Sequence, residues 1–141
     1  MNKKLILTLA LVFGIGIFAV TVRAECANGS CTPIHVGILD EVLPNQKIDM
    51  LKMDAEGSEF WIMEGAKLLL ANPELILMME WDTRHLTRNG VEVKNFITLL
   101  QESGFHAWSV AKGGKLKPVT YASLEKDATF DLVLSRNPEA F

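Results

Sequence analysis

Ile48-Asp49-Met50-Leu51-Lys52-Met53-Asp54-Ala55-Glu56-Gly57-Ser58-Glu59 drives a buried-strand pattern into a cluster of carboxylates and a glycine. Residues two apart on a strand share a face, so Lys52 and Asp54 are expected side by side, with Glu56 and Glu59 following on the turn and the first helical residues. An apolar strand that ends in acids is the usual layout of a ligand crevice in an open α/β sheet, where function gathers at the carboxyl ends of strands. The same residues also make sense without chemistry. Lys52 and Asp54 then form a salt bridge, and Glu56 and Glu59 lie near a helix amino end, where negative charge is favoured by up to about 1 kcal/mol.

Outward from this stretch the chain alternates strand and helix. His35 to Leu39 is expected as a short strand, Ile48 to Asp54 as a longer one, and Ser58 to Leu70 as a helix with Ser58 as its cap. Ile62, Met63, Ala66, Leu69 and Leu70 fall at helical spacing on one apolar face, and Asn72-Pro73 stops the helix. Leu75 to Met79 is a continuous apolar run of strand length, the signature of a strand covered on both faces in a mainly parallel sheet. Val93, Phe96, Ile97 and Leu100 line one side of a further helix ended by Gly104. Phe105 to Ala111 and Leu116 to Tyr121 flank Gly113-Gly114, a two-residue hairpin signal, and Thr129 to Ser135 reads as a last strand. A short helical crossover between parallel strands is nearly always right-handed. Asp54 and Glu80 are therefore expected at the carboxyl ends of neighbouring parallel strands, facing one crevice.

The central stretch resembles the FkbM family of S-adenosylmethionine-dependent methyltransferases, whose members carry a similar lysine-acid-valine-glutamate-glycine turn after a buried strand. Leu39-Asp40 stands upstream as the family's leucine-aspartate does, Glu64-Gly65-Ala66 looks like its helix pattern ending in glycine-alanine, and Glu80 closes the next strand where the family also has a glutamate. The resemblance runs from about Ile34 to Asn137, is most specific from Ile48 to Glu80, and covers the family's second half only. Pattern and resemblance together imply an α/β fold. It is a partial Rossmann-like, class I methyltransferase-like sheet, mostly parallel with an antiparallel closing hairpin, behind an N-terminal apolar helix.

With 141 residues, nearly half hydrophobic, and a net charge of -3, the chain has room for one domain and presents no nucleic-acid surface. Lys112, Lys115 and Lys117 around a glycine pair are read as solubility. Lys3 and Lys4 precede an uncharged apolar run from Leu5 to Val22, and Val22-Arg23-Ala24 offers a small residue where a signal peptidase requires one. Residues 1–24 are thus expected to be a signal peptide or a single membrane anchor through residues 5–22, which places the remainder outside the cytoplasm. A cytoplasmic location follows only if that leader is an artefact. Residues 25–33 form a linker in which Cys26 and Cys31, around Asn28-Gly29-Ser30, suit a small disulfide loop. The methyltransferase-like region then spans 34–137, with a tail at 138–141.

The resemblance implies S-adenosylmethionine as cofactor and methyl transfer to a hydroxyl oxygen of a small molecule or glycan. The site is assigned to Asp54 and Glu80 for catalysis, with Asp54 and Glu56 toward the cofactor and no metal ligand. Asp54, beside Lys52, suits orienting a substrate or the sulfonium. Glu80 follows an apolar strand, and burial would raise its pKa, which makes it the better base. Gly14-Ile15-Gly16 is the only Gly-x-Gly, and inside the apolar leader, with no strand before it, it is read as a membrane-helix feature. No acid stands ready for the ribose hydroxyls. The missing glycine turn and the exported location argue against catalysis by the chain alone, and residues 25–141 are expected to bind the cofactor at millimolar rather than micromolar concentration. The Ile48 to Asp54 strand becomes an exposed edge, open to a dimer partner or a complementing chain. Two other functions compete. One is an exported or anchored α/β binding module without catalysis. The other is a metal-dependent enzyme using Asp54, Glu56, Glu80, Asp82 and His85, against a loop in which Arg84 and His85 are solvated. His35 and His106, in expected strands, are read as partly buried.

Overall fold

Continuous apolar runs become interior strands, and the computed structural model shows them side by side. It describes residues 37–44, 46–126 and 128–141, together with the backbone of Ile6–Ala10, Thr21–Val22 and Ile34–His35. In chain order the strands are β1 (Ile6–Ala10), β2 (Thr21–Val22), β3 (Ile34–His35), β4 (Met50–Asp54), β5 (Ile76–Asp82), β6 (His106–Val110), β7 (Leu116–Val119) and β8 (Thr129–Ser135). The helices are α1 (Leu39–Val42), α2 (Glu59–Glu64), α3 (Lys67–Leu70), α4 (Thr83–Arg88), α5 (Val93–Glu102) and α6 (Tyr121–Leu124). Six strands form one mixed sheet in the order β1-β4-β5-β8-β6-β7, and β2 and β3 pair separately.

β4 and β5 are parallel neighbours with Lys52 opposite Met78 and Met53 opposite Met79, the arrangement that the short crossover dictates. β6 and β7 form the expected antiparallel hairpin. Both glycines at its tip take the left-handed conformation, with φ of 79° at Gly113 and 76° at Gly114. β8 enters between β5 and β6, antiparallel to both.

The amino-terminal apolar run departs from expectation. Residues 6–10 are not helical but form β1, parallel to β4 with Ile6 opposite Met50 and Ala10 opposite Asp54. A buried parallel strand reads as an unbroken apolar run, which periodicity does not separate from a buried helix. β4 is therefore interior to the sheet rather than an exposed edge, and the chain's own segment takes the position offered to a partner. Gly14-Ile15-Gly16 and the Cys26–Cys31 loop lie outside the described residues. A strand does precede that glycine pair, contrary to the reading that assigned it to a membrane helix. Among the described residues no helix is long and apolar enough to cross a membrane.

Leu51, Met53, Leu77, Met79, Trp81, Leu132 and Leu134 project from the sheet into one cluster with Met63, Leu69, Leu70, Phe96, Leu100 and Leu124. Each fully buried large side chain contributes roughly 1.5–3 kcal/mol. The expected helix from Ser58 to Leu70 is two helices broken at Gly65-Ala66. Asp40 makes the break. Its backbone amide donates to Gly65 O at 3.0 Å, while its carboxylate accepts from Leu68 N at 2.8 Å and Leu69 N at 3.2 Å, capping α3 from a distant part of the chain. Leu39-Asp40 accordingly opens α1 instead of closing a strand, and the strand expected from His35 to Leu39 overlaps β3 at His35, with Val36 outside the described residues. Arg136, just after β8, ties three carbonyls together: Leu70 at 2.5 Å, Asn72 at 2.9 Å and Ser103 at 2.6 Å. Its guanidinium lies 4.2 Å from the centre of the Phe105 ring.

Candidate functional site at the carboxyl ends of β4 and β5

Asp54 ends β4 with an exposed carboxylate 3.5 Å from Lys52 Nζ, so the expected side-by-side pair is present. The chain then turns through Glu56, a non-glycine residue with φ of 50°, and Gly57, with φ of 95°. Glu59 locks this turn from inside. It is 1% exposed, and its carboxylate accepts a hydrogen bond from Ala55 N at 2.8 Å. Burial pushes the Glu59 carboxyl above its ordinary range, against the backbone amides of Glu59, Ala55 and Gly57, which pull it down. Glu59 is thus structural. Ser58, expected as the cap of α2, makes no cap bond, and its buried hydroxyl has no hydrogen-bond partner.

On β5 the two-residue alternation turns Trp81 into the core, where its indole N–H donates to Leu124 O at 3.1 Å. Glu80 projects from the opposite face, one residue beyond the Met53–Met79 pair and so level with Asp54. The sequence predicts these two carboxylates at neighbouring carboxyl ends of parallel strands, and the strand pairing brings them level there. Burial, and then the negative charges of Glu56 and Asp54, hold the Glu80 carboxyl above the ordinary range, with His85 pulling weakly the other way. That is the direction expected for a base at a strand end.

Asp82 leaves the group of candidate ligands. It is buried and caps α4, accepting from Arg84 N at 2.9 Å and His85 N at 3.1 Å. Its second oxygen accepts from the Arg84 guanidinium at 3.1 Å and from the Thr129 hydroxyl at 2.5 Å. The Thr129 bond, with the Arg84 and amide bonds behind it, holds the Asp82 carboxyl far below its ordinary range despite burial. The segment after Asp82, expected as a solvated loop, is the helix α4. One turn of α4 brings His85 Nδ1 to 3.0 Å from Glu56 Oε2 and 3.9 Å from Glu80 Oε2.

Two residues missed by sequence reasoning clamp the turn to α4. The Asn89 side-chain amide donates to Glu56 O at 2.7 Å. Gly57 packs so tightly that a Cβ there would lie 2.4 Å from the His85 carbonyl carbon and oxygen. Only the glycine-after-acid pattern hinted at this approach, and nothing in the sequence marks Asn89. His106, expected to be partly buried, is exposed.

A protein-family model described as the methyltransferase FkbM domain matches residues 17–107, more than half of the chain. The chain belongs to the FkbM methyltransferase family. The match contains Asp54, Glu56, Glu80 and His85 together with the Gly57 and Asn89 clamp, while β1, β7 and β8 lie outside it. No curated protein and no solved structure matches the chain. Methyl transfer is the chemistry that membership in this FkbM family indicates, and S-adenosylmethionine is the cofactor it suggests.

Glu80→Gln is expected to raise the melting temperature near neutral pH. A carboxyl whose pKa is raised on folding binds its proton more tightly in the folded state, so its contribution to stability falls as pH rises through and above the ordinary glutamate value. Glutamine removes that loss. Thermal melts of both proteins at pH about 4 and about 7 check the sign, with the gain confined to the higher pH. Equal melting temperatures at the higher pH would contradict this account of the Glu80 environment.

Proposed function

We propose that this FkbM domain serves S-adenosylmethionine-dependent methyl transfer to a hydroxyl oxygen, with Glu80 as the base and Asp54 and Glu56 toward the cofactor. The observation that carries the reading is the level placement of Asp54 and Glu80 on adjacent parallel strands, with the Glu80 carboxyl raised. A sulfonium is positively charged, and the acids at the ends of β4 and β5 suit that end of the cofactor. Among the described residues there is no glycine-rich turn and no acid placed for the ribose, so the fit rests on the charged end alone. When bound, S-adenosylmethionine supplies an electrophilic methyl group.

The chain's own residues do the rest. Asp54, paired with Lys52, is the group that orients the cofactor. Glu80 accepts the acceptor's hydroxyl proton as its oxygen becomes a nucleophile, and a raised pKa brings it nearer the operating range of a base. Catalysis through Glu80 predicts a rate that increases with pH as the carboxyl deprotonates, above the ordinary glutamate range.

Titration calorimetry of the full chain with S-adenosylmethionine tests the reading. Saturable binding is expected, weakened about 10-fold or more by Asp54→Ala through loss of a charged contact. Absence of heat up to millimolar cofactor, or binding indifferent to Asp54→Ala, would remove the assignment.

A further inference from the structure

The imidazole of His85 poses a problem that methyl transfer does not solve. Its Nδ1 atom is buried and has no hydrogen-bond partner. Glu56 Oε2 lies 3.0 Å away, yet outside hydrogen-bonding alignment, and Glu80 Oε2 is 3.9 Å away. Buried polar nitrogen is rarely left unsatisfied, and an ion is one of the few things that satisfies it. One donor atom from each of Glu56, Glu80 and His85 lies within 4.8 Å of the others. We propose that Glu56, Glu80 and His85 form a binding site for a single divalent transition-metal ion.

The three donors are not a run of surface acids. They come from the turn after β4, from the end of β5 and from α4, and the backbone beside each is held. Asn89 bonds Glu56 O, the Met53–Met79 pairing fixes the level of Glu80, and Asp82 accepts from His85 N. Two carboxylate oxygens and one imidazole nitrogen are a donor set suited to Mn2+, Fe2+, Co2+ or Zn2+, whereas Mg2+ prefers oxygen ligands and keeps its water. Two glutamates and a neutral histidine also balance the ion's charge, which relieves the repulsion that Glu56 and Asp54 exert on Glu80. Three protein donors leave coordination positions open for an oxygen ligand, as in a catalytic rather than a closed structural site. A simple ion pair between protonated His85 and Glu56 is the competing arrangement, and it binds no metal.

The two are separated by titrating the full chain with MnCl2 and following the paramagnetic resonance of free Mn2+, with ZnCl2 and MgCl2 tested by competition. The expected result is loss of the free-Mn2+ signal at one ion per chain, displacement by Zn2+ and displacement by Mg2+ only at concentrations about 10-fold higher or more. His85→Ala should weaken Mn2+ binding about 10-fold or more, as loss of a ligand does at least as severely as loss of its supporting groups. Glu56→Gln gives the same readout without endangering the fold, because the Glu56 carboxylate is 60% exposed. An undiminished free-Mn2+ signal, or equal affinity in the wild type, Glu56→Gln and His85→Ala, overturns the site. The ion site shares Glu56 and Glu80 with the methyl-transfer reading, and an ion on Glu80 takes the carboxylate which that reading uses as base, so the two are tested separately. A chain that takes up Mn2+ but not S-adenosylmethionine keeps the one and loses the other.

Discussion

Gly57→Ala is expected to destabilise the chain by about 2–5 kcal/mol, adding roughly 1–2 kcal/mol for a left-handed alanine to roughly 1–3 kcal/mol for overpacking. Gly57 has φ of 95°, and the new methyl carbon would lie 2.4 Å from the His85 carbonyl atoms and 2.8 Å from Asn89 Nδ2. The Asn89 side chain can give way, but the two nearest atoms are His85 backbone and cannot. Against a total stability of about 5–15 kcal/mol, this loss decides whether the domain stays folded. Gly90→Ala is the control. Gly90 also has positive φ, at 75°, but a Cβ there meets nothing within 4 Å, so only the conformational strain remains. Urea unfolding of the two variants separates clash from strain, and equal midpoints would refute the close approach of the turn to α4.

Asp82→Ala is expected to cost about 2–4 kcal/mol at neutral pH, from the lost cap and the lost charged hydrogen bonds. It removes a helix cap worth about 0.5–2 kcal/mol and a buried carboxylate that takes four hydrogen bonds, two of them from the exposed side chains of Arg84 and Thr129. The pH dependence gives a second signature. Asp82 is held well below its ordinary pKa on folding, so its stabilisation is fully present above the unfolded value near 4 and fades as pH falls toward the folded one. The wild type and the variant should therefore converge in acid. Asp82→Asn should fall between them, because an amide oxygen still caps Arg84 N and His85 N but carries no charge for the Arg84 guanidinium. Denaturation midpoints that stay equally far apart from neutral pH into acid would show that the charge of Asp82 is not what stabilises α4.

The parts of the fold legible in the sequence are those fixed by local pattern. β4 and β5 announce themselves as apolar runs, and the brevity of the chain between them leaves one handedness, which is why Asp54 and Glu80 were located correctly relative to each other. The paired glycines at 113 and 114 fixed the hairpin for the same reason. Long-range effects were not legible. The break between α2 and α3 depends on Asp40, distant in sequence, and no local breaker stronger than Gly65 marks it. β1 was lost because its residues, read alone, satisfy a helix as well as a strand. α4 was lost because Asp82 was weighed as a possible ligand when its use is to cap, and with α4 went the placement of His85. The closeness of Glu56 to His85 is likewise set by a turn conformation that sequence pattern does not encode.

The position of β8 has a consequence for how the chain is made. It follows the other described strands in chain order, yet it lies between β5 and β6 in the middle of the sheet. Until β8 has been added, the edges of β5 and β6 that it pairs with stand open. Vectorial synthesis therefore leaves the two halves of the sheet unjoined until that strand is made. Until then its unpaired strand edges are what holdase chaperones recognise and what drives aggregation. A stop codon that removes β8 would accordingly be as damaging as one that removes β5.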